Sequence, residues 1–294
     1  MNGRPPARAA YRVLVPLLLA ALAWCPAREA GAGGDVPELW FPVGEKLAYQ
    51  VHWGILPVGT AEIASSWVEE GGRTYLAARF RAWSNRLIDR IYRVEDTVET
   101  LVDPVTFLPL RVEKRLSEGR LRFDDVLTFD HERGRARWEN RVTGKSVEYA
   151  VPANAQDIVS FLYSLRREPL RPAQEIATAI AVDNRMWDFI IRVGRREDIR
   201  LPAFGAVPCV RVRVQTADRG FFVNKIPGTI WVSTDERRFV TRMYIRAPIG
   251  SLRADLARRD LDHGMAAGTP AGTCQAPSSF FPWSAAATRA TLAP

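Results

Sequence analysis

Residues 154–167 read Asn-Ala-Gln-Asp-Ile-Val-Ser-Phe-Leu-Tyr-Ser-Leu-Arg-Arg, the one strongly amphipathic helical stretch in a chain of 294 residues. Ile158, Phe161, Leu162 and Leu165 recur at the i, i+3, i+4, i+7 spacing of a helix and form one apolar stripe. Gln156, Ser160, Ser164 and Arg167 fall off that stripe, and Pro169 and Pro172 end the run. Asn154 is placed to cap the first turn, with Asp157 a first-turn carboxylate favoured by the helix dipole. Tyr163 is expected half-buried, with its hydroxyl at the rim. A lone helix of this length is marginal in water, so its stripe must lie on something apolar. The rest of the chain offers only strands.

Those strands announce themselves by alternation. Leu47, Tyr49, Val51 and Trp53 alternate with Lys46, Ala48, Gln50 and His52, the two-residue period of a strand with one buried face. Ala61, Ile63, Ser65 and Trp67 repeat the pattern, and Glu70-Gly-Gly-Arg73 turns the chain into a third strand bearing Leu76, Ala78 and Phe80. After a linker at 84–89, Tyr92, Val94, Asp96 and Val98 are expected to share one face. Further alternating stretches occupy 108–116, 121–130, 135–138 and 146–151, with turns between them. Beyond the helix they resume at 175–182, 186–195, 210–214, 228–234, 238–246 and 249–256. This predicts a mainly β fold: a curved antiparallel sheet or partly closed β-barrel or roll, with one central amphipathic helix packed on it. Hydrophobic residues make up 47% of the chain and charged residues 25%, enough to bury a real core.

The two ends read differently. Arg4, Arg8 and Arg12 precede an apolar run from Val13 to Trp24, and Ala30-Gly-Ala32 offers a cleavage site, so residues 1–32 are expected to be a signal peptide. The run is too short for a permanent span. The expected destination is the periplasm. Cys25 suggests lipid anchoring, but Trp24 before it is a poor fit, and the anchored reading is disfavoured. A single β domain is expected over 38–260. From Asp262 the composition collapses to Ala, Gly, Pro, Ser and Thr, so 261–294 is expected to be a disordered low-complexity tail, with Phe280-Phe-Pro-Trp283 as an aromatic oddity. Cys209 is expected to be a buried apolar residue, although a disulfide to Cys274 is open to it.

Several spaced motifs resemble an exported bacterial family known as domain of unknown function number 3108. They are Gly44-Glu-Lys-Leu47-x-Tyr49-x-Val51-x-Trp53 with Val58-Gly-Thr-Ala61, then Tyr92-x-Val94-x-Asp96. The helix pattern Asp157-x-x-Ser160-x-x-Tyr163-x-x-Arg166 follows, then Gly228-x-Ile230-Trp-x-Ser233-x-Asp235-x-Arg237-Arg238 and Gly250-Ser-Leu-Arg-Ala-Asp-Leu256. The resemblance covers roughly residues 38–258. It implies an envelope-associated β protein and brings no activity with it.

The charge of +8 over the whole chain is spread among many strands, and four arginines against one glutamate fall in the leader. A nucleic-acid partner would need a clustered basic face, which the pattern lacks. Zinc-helix, Cys-x-x-Cys, nucleophile-elbow and phosphate-loop motifs are all missing. Neither cofactor nor metal is expected. The candidate ligand-binding residues are therefore scattered ones. Asp96 is expected on the core side, as a ligand-facing acid or as an internal hydrogen-bonding anchor. Trp231 and Asp235 flank a hairpin, a pairing that suits a sugar ring and equally a strand aromatic beside a turn carboxylate. Lys225 lies in an aromatic-rich loop able to close a pocket. Asp157 and Tyr163 complete the set. Three readings follow: non-enzymatic binding of a hydrophobic or lipid-like ligand in the β concavity, a carbohydrate-binding or carbohydrate-active protein with Asp96 as acid or base, or an envelope scaffold binding a protein partner. A lipid or polysaccharide ligand and peripheral envelope association are the expected partners.

Overall fold

The computed structural model describes residues 36–216, 227–247 and 250–261. The predicted leader with Cys25, the loop containing Lys225, and the tail with Cys274 and the aromatic cluster lie outside the described residues.

The first half of the chain forms β1 (Glu45–Trp53), β2 (Leu56–Glu70), β3 (Arg73–Ser84), a one-turn helix α1 (Asp89–Tyr92), β4 (Val94–Val102), β5 (Pro109–Glu118), β6 (Leu121–Asp130), β7 (Arg135–Asn140) and β8 (Ser146–Ala150). Helix α2 (Ile158–Arg167) follows. The second half is β9 (Glu175–Val182), β10 (Arg185–Leu201), β11 (Gly205–Thr216), β12 (Pro227–Ser233), β13 (Val240–Ala247) and β14 (Gly250–Leu261). All fourteen strands make one sheet in the order β8-β7-β6-β5-β4-β3-β2-β1-β14-β13-β12-β11-β10-β9. Every ladder is antiparallel. The chain therefore starts in the middle of its own sheet, walks to one edge, crosses through α2 to the other edge, and walks back until β14 lies beside β1.

The two edges, β8 and β9, share no ladder, so the barrel is not closed. They nevertheless come together. Gln156 makes a parallel bridge with Ile180 of β9, through its amide to the Ala179 carbonyl (3.0 Å) and its carbonyl from the Ala181 amide (2.7 Å). Lys114 of β5 reaches Asp183 of the β9–β10 turn while also bonding Asp125 at 2.7 Å, and the Tyr149 hydroxyl donates to the Asp183 carbonyl (3.3 Å). A flat sheet would hold these groups many strands apart. The sheet is curled, with a seam at β8/β9.

The inward face carries the alternation predicted from sequence. Leu47 and Tyr49 of β1, Ile63 of β2, Leu76 of β3, Ile230 and Val232 of β12, Met243 of β13 and Leu256 of β14 are buried in one cluster with the α2 side chains. A smaller cluster joins Val112, Leu127, Phe129 and Ala136 to Val151, Ala155 and Ala181 beside the seam. The strands β10 and β11 run well beyond their predicted ends. The signal failed there because Arg195-Arg-Glu-Asp198 interrupts the pattern at a bulge, where Val193 pairs with Val212 but Arg196 with Val210. Tyr92 is also displaced from its predicted strand. It closes α1 instead, and its ring lies on Gly119, whose φ of +57° and missing side chain make the approach possible.

Helix α2 is shorter and more deeply buried than its periodicity suggested. Asp157, not Asn154, is the cap: its carboxylate accepts from the amides of Val159 (2.9 Å) and Ser160 (3.0 Å), and Ser160 Oγ accepts from the Asp157 amide (3.1 Å). Two orphan helix donors and the cap amide are thereby satisfied together. Beyond the stripe, Val159, Ser160, Tyr163 and Arg166 are buried as well. An amphipathic helix on an outer face would keep those positions wet. This one sits inside the curl. Each large apolar side chain it buries, such as Phe161 or Leu165, contributes about 1.5–3 kcal/mol relative to exposure.

Candidate functional site

The concave interior and the helix that fills it are the candidate site. At the helix N-terminus, Asp157 also accepts from the Thr100 hydroxyl of β4 (2.8 Å), with Thr100 itself fully buried. At the C-terminus Arg166 enters the core. Its Nη1 donates to Glu45 Oε2 (2.5 Å), its Nε to the Arg238 carbonyl (3.1 Å) and its Nη2 to the Arg237 carbonyl (3.0 Å). Arg259 of β14 completes the group by donating to Glu45 Oε1 (3.0 Å). Glu45 is 1% exposed and Arg166 2%. One carboxylate thus sits between two guanidiniums and neutralises only part of their charge, the rest being dispersed to backbone carbonyls and to the faces of Phe41, Tyr163 and Phe239. Arg238 holds a left-handed backbone (φ 48°) in the β12–β13 turn that presents both carbonyls.

This triad is the feature that motif reading missed. The signal was present: Glu45 stands two residues before Leu47 and four before Tyr49, a carboxylate on an apolar face. Around it, burial pushes the Tyr49 phenol well above its ordinary range, with Arg166 opposing the shift, and does the same to Tyr163. Tyr49 donates instead to the Val240 carbonyl (2.9 Å). Tyr163 is buried rather than half-exposed, because the strap before β1 covers it: Phe41 lies 4.5 Å from its ring, and Trp40 donates to its carbonyl (2.9 Å).

The remaining predicted residues are not brought together. Asp96 lies half-buried on the inward face near the α1 end and accepts from the Ser117 amide (3.1 Å). Trp231 is buried on the opposite face of the sheet from Ile230 and Val232, donating to Glu197 (2.7 Å) with Tyr244 5.5 Å away. Asp235 lies in the β12–β13 turn. Burial alone would raise its pKa, but the Ser233 hydroxyl, the Arg237 guanidinium and the Arg238 amide hold it below the usual carboxylate range. It lines a small cavity of about 150 Å3 with Arg237, Phe239, Phe204 and Leu201. A wider cleft of about 450 Å3 opens beside the strap, between Glu38, Trp40, Val105 and Arg167. Cys209 is a buried free thiol beside Thr241 (3.1 Å), its pKa raised by burial. Among the described residues no group of three His, Cys, Asp or Glu side chains is placed to hold a metal ion.

An open, barrel-like antiparallel sheet with one helix in its concavity is the class of protein these features define. The same architecture occurs in a solved structure from Brucella abortus, described as a beta-barrel-like protein of domain of unknown function DUF1849. It aligns with 76% of this chain and 99% of its own at a TM-score of 0.52 and 10% identity, a likeness of fold alone. By sequence, the chain belongs to the family described as protein of unknown function (DUF3108), whose model matches residues 48–257. No curated protein matches it.

Proposed function

We propose that the protein is an exported, non-catalytic binding protein of the cell envelope, which takes a hydrophobic, lipid-like ligand onto the concave face of its sheet. In this reading α2 is the cover that such a ligand displaces. The observation that carries it is the way α2 is held. A continuous apolar face lies under a single ten-residue helix, and the helix is fastened at its two ends by polar groups, Asp157 to Thr100 and Arg166 to Glu45. Between the fastenings Phe161, Leu162 and Leu165 make apolar contacts of the kind an acyl chain would make, beside the polar contacts of Tyr163 to Trp40 and Ser65. The β8/β9 seam has no ladder, so the curl can widen there by releasing the Gln156 bridge and the contacts of Asp183 with Lys114 and Tyr149 rather than a whole strand pair.

With α2 in place the cavity of about 150 Å3 falls short of the roughly 300–1,000 Å3 of ligand pockets, and the cleft of about 450 Å3 opens beside the strap rather than onto the apolar face under the helix. Ligand entry is therefore coupled to helix movement. The test is native mass spectrometry of the protein purified from its own envelope fraction, followed by organic extraction. A near-stoichiometric lipid or glycolipid is expected, and a clean apo mass from folded protein would overturn the proposal.

A further inference from the structure

The β1–β2, β3–β4 and β5–β6 connections all project from one end of the sheet, and each carries an exposed aliphatic side chain at or beside its tip. Ile55, at the β1–β2 turn, is 98% exposed, and Ile91 of α1 is 83% exposed. Leu87 and Leu121 occupy the neighbouring tips and are also exposed. The tips form one continuous rim. Asn85 bonds the Val58 carbonyl through its amide (2.9 Å) and the Pro57 carbonyl through its side chain (2.6 Å), tying the α1 segment to β2. Gly119 donates to the Arg93 carbonyl (2.8 Å) under the Tyr92 ring, tying α1 to the β5–β6 turn. Four strand spacings separate the outermost tips, the β1–β2 and β5–β6 turns, roughly 19 Å at about 4.8 Å per spacing.

Charge and aromatic placement say what covers this rim. Arg86, Arg90 and Arg120 stand exposed on it with no ion pair among the described residues, and Arg122 donates only to the carbonyls of Gly119 and Leu121. The nearby acids are engaged: Asp89 accepts from Ser84 (2.5 Å) and Glu95 pairs with Arg93 (3.0 Å). Trp53 and Trp83 sit behind the tips, exposed at the strand ends. Aliphatic tips, tryptophans one level back and arginines without an ion pair among the described residues match the layering of a bilayer interface, where acyl chains give way to carbonyls and then to headgroup phosphates.

We propose that this rim is a docking surface for an anionic phospholipid bilayer, independent of what the concave face holds. The protein purified from its own host is mixed with vesicles of phosphatidylcholine, with and without phosphatidylglycerol, and partitioning is read by flotation. Binding is expected to the anionic vesicles and to fall with salt. Replacing Arg86, Arg90 and Arg120 by Gln is expected to cut partitioning about a hundredfold, from roughly fivefold per basic residue near an anionic surface. An Ile55→Ser, Leu87→Ser, Ile91→Ser variant is expected to lose binding with an unchanged circular dichroism spectrum. That variant retains any lipid that co-purifies in the concavity, so the docking and the carrier readings fail separately. No binding to anionic vesicles, equal binding by the serine variant, or a dimer that the serine substitutions dissolve without any vesicle binding would each overturn the proposal, the last assigning the rim to a second copy of the chain.

Discussion

Removing Arg166 should damage this fold more than any single apolar truncation of α2. In Arg166→Met, Glu45 stays buried with only Arg259 as a partner, and the carbonyls of Arg237 and Arg238 lose their donor. A charge pair about 4 Å apart is worth roughly 4 kcal/mol at an effective dielectric of about 20, and breaking one side of a buried pair typically costs about 3–5 kcal/mol. Domains of this kind are stable by only about 5–15 kcal/mol, so the variant should unfold at a much lower denaturant concentration. Glu45→Met leaves Arg166 buried beside Arg259 with no carboxylate between them and should cost about as much. The double variant removes the desolvated acid and one base together, so it should cost clearly less than the sum of the singles. The assay is guanidinium unfolding followed by tryptophan fluorescence, with midpoint and slope compared across the cycle. Single variants losing less than about 1 kcal/mol, or strict additivity in the double, would refute the triad as the fastening of α2.

Three further outcomes follow from other contacts. Asp157→Ala should destabilise by about 2–4 kcal/mol, combining a lost cap with a buried Thr100 hydroxyl left unpaired, and Thr100→Val in the same chain should recover part of it; an effect under about 0.5 kcal/mol in denaturant unfolding would contradict the cap assignment. Gly59→Ala places a Cβ 2.3 Å from the Trp83 carbonyl oxygen across the β2–β3 ladder, so the strands must shift, at about 1–3 kcal/mol, read as a lowered unfolding midpoint. The depressed pKa of Asp235 means its contribution is present above about pH 4, where the unfolded carboxyl is already ionised, and is lost as pH falls through the lower folded value. Asp235→Asn should therefore flatten the acid limb of the stability profile, and an acid limb identical to that of the parent would contradict it.

The strands were legible because their two-residue period survives single-sequence reading, and the inward-facing sets of β1 to β3 follow from it directly. Where the period broke, so did the expectation: the charged Arg195–Asp198 run hid the continuity of β10, and Tyr92 read as part of a strand because it keeps phase with Val94 across a helical turn. Helix α2 was located correctly, yet its depth was not. Periodicity identifies the most apolar face and is silent about whether the other faces are wet, and Ser160, Tyr163 and Arg166 are buried because the sheet curls around them. The candidate site was less legible for a related reason. In sequence Glu45 stands 121 residues from Arg166 and 214 from Arg259; the β1–β14 pairing sets Glu45 beside Arg259, and the packing of α2 inside the curl adds Arg166. Asp96, Trp231 and Asp235 are prominent in sequence but stand on different faces or ends of that sheet.

The neighbourhood of β1 and β14 has a kinetic meaning. The ladder from Glu45 to Leu261 is the most non-local among the described residues, and it lies at the centre of the sheet rather than at an edge. Hairpins β1 to β8 can zip as they appear, but their first strand keeps one side bare until the last strand arrives. A chain delivered from its N-terminus through a narrow passage would hold an unfinished, pliable sheet throughout its transit. It would complete the middle of its sheet and the Arg259–Glu45 contact only late, when residues 250–261 slot in beside the strand that was made first.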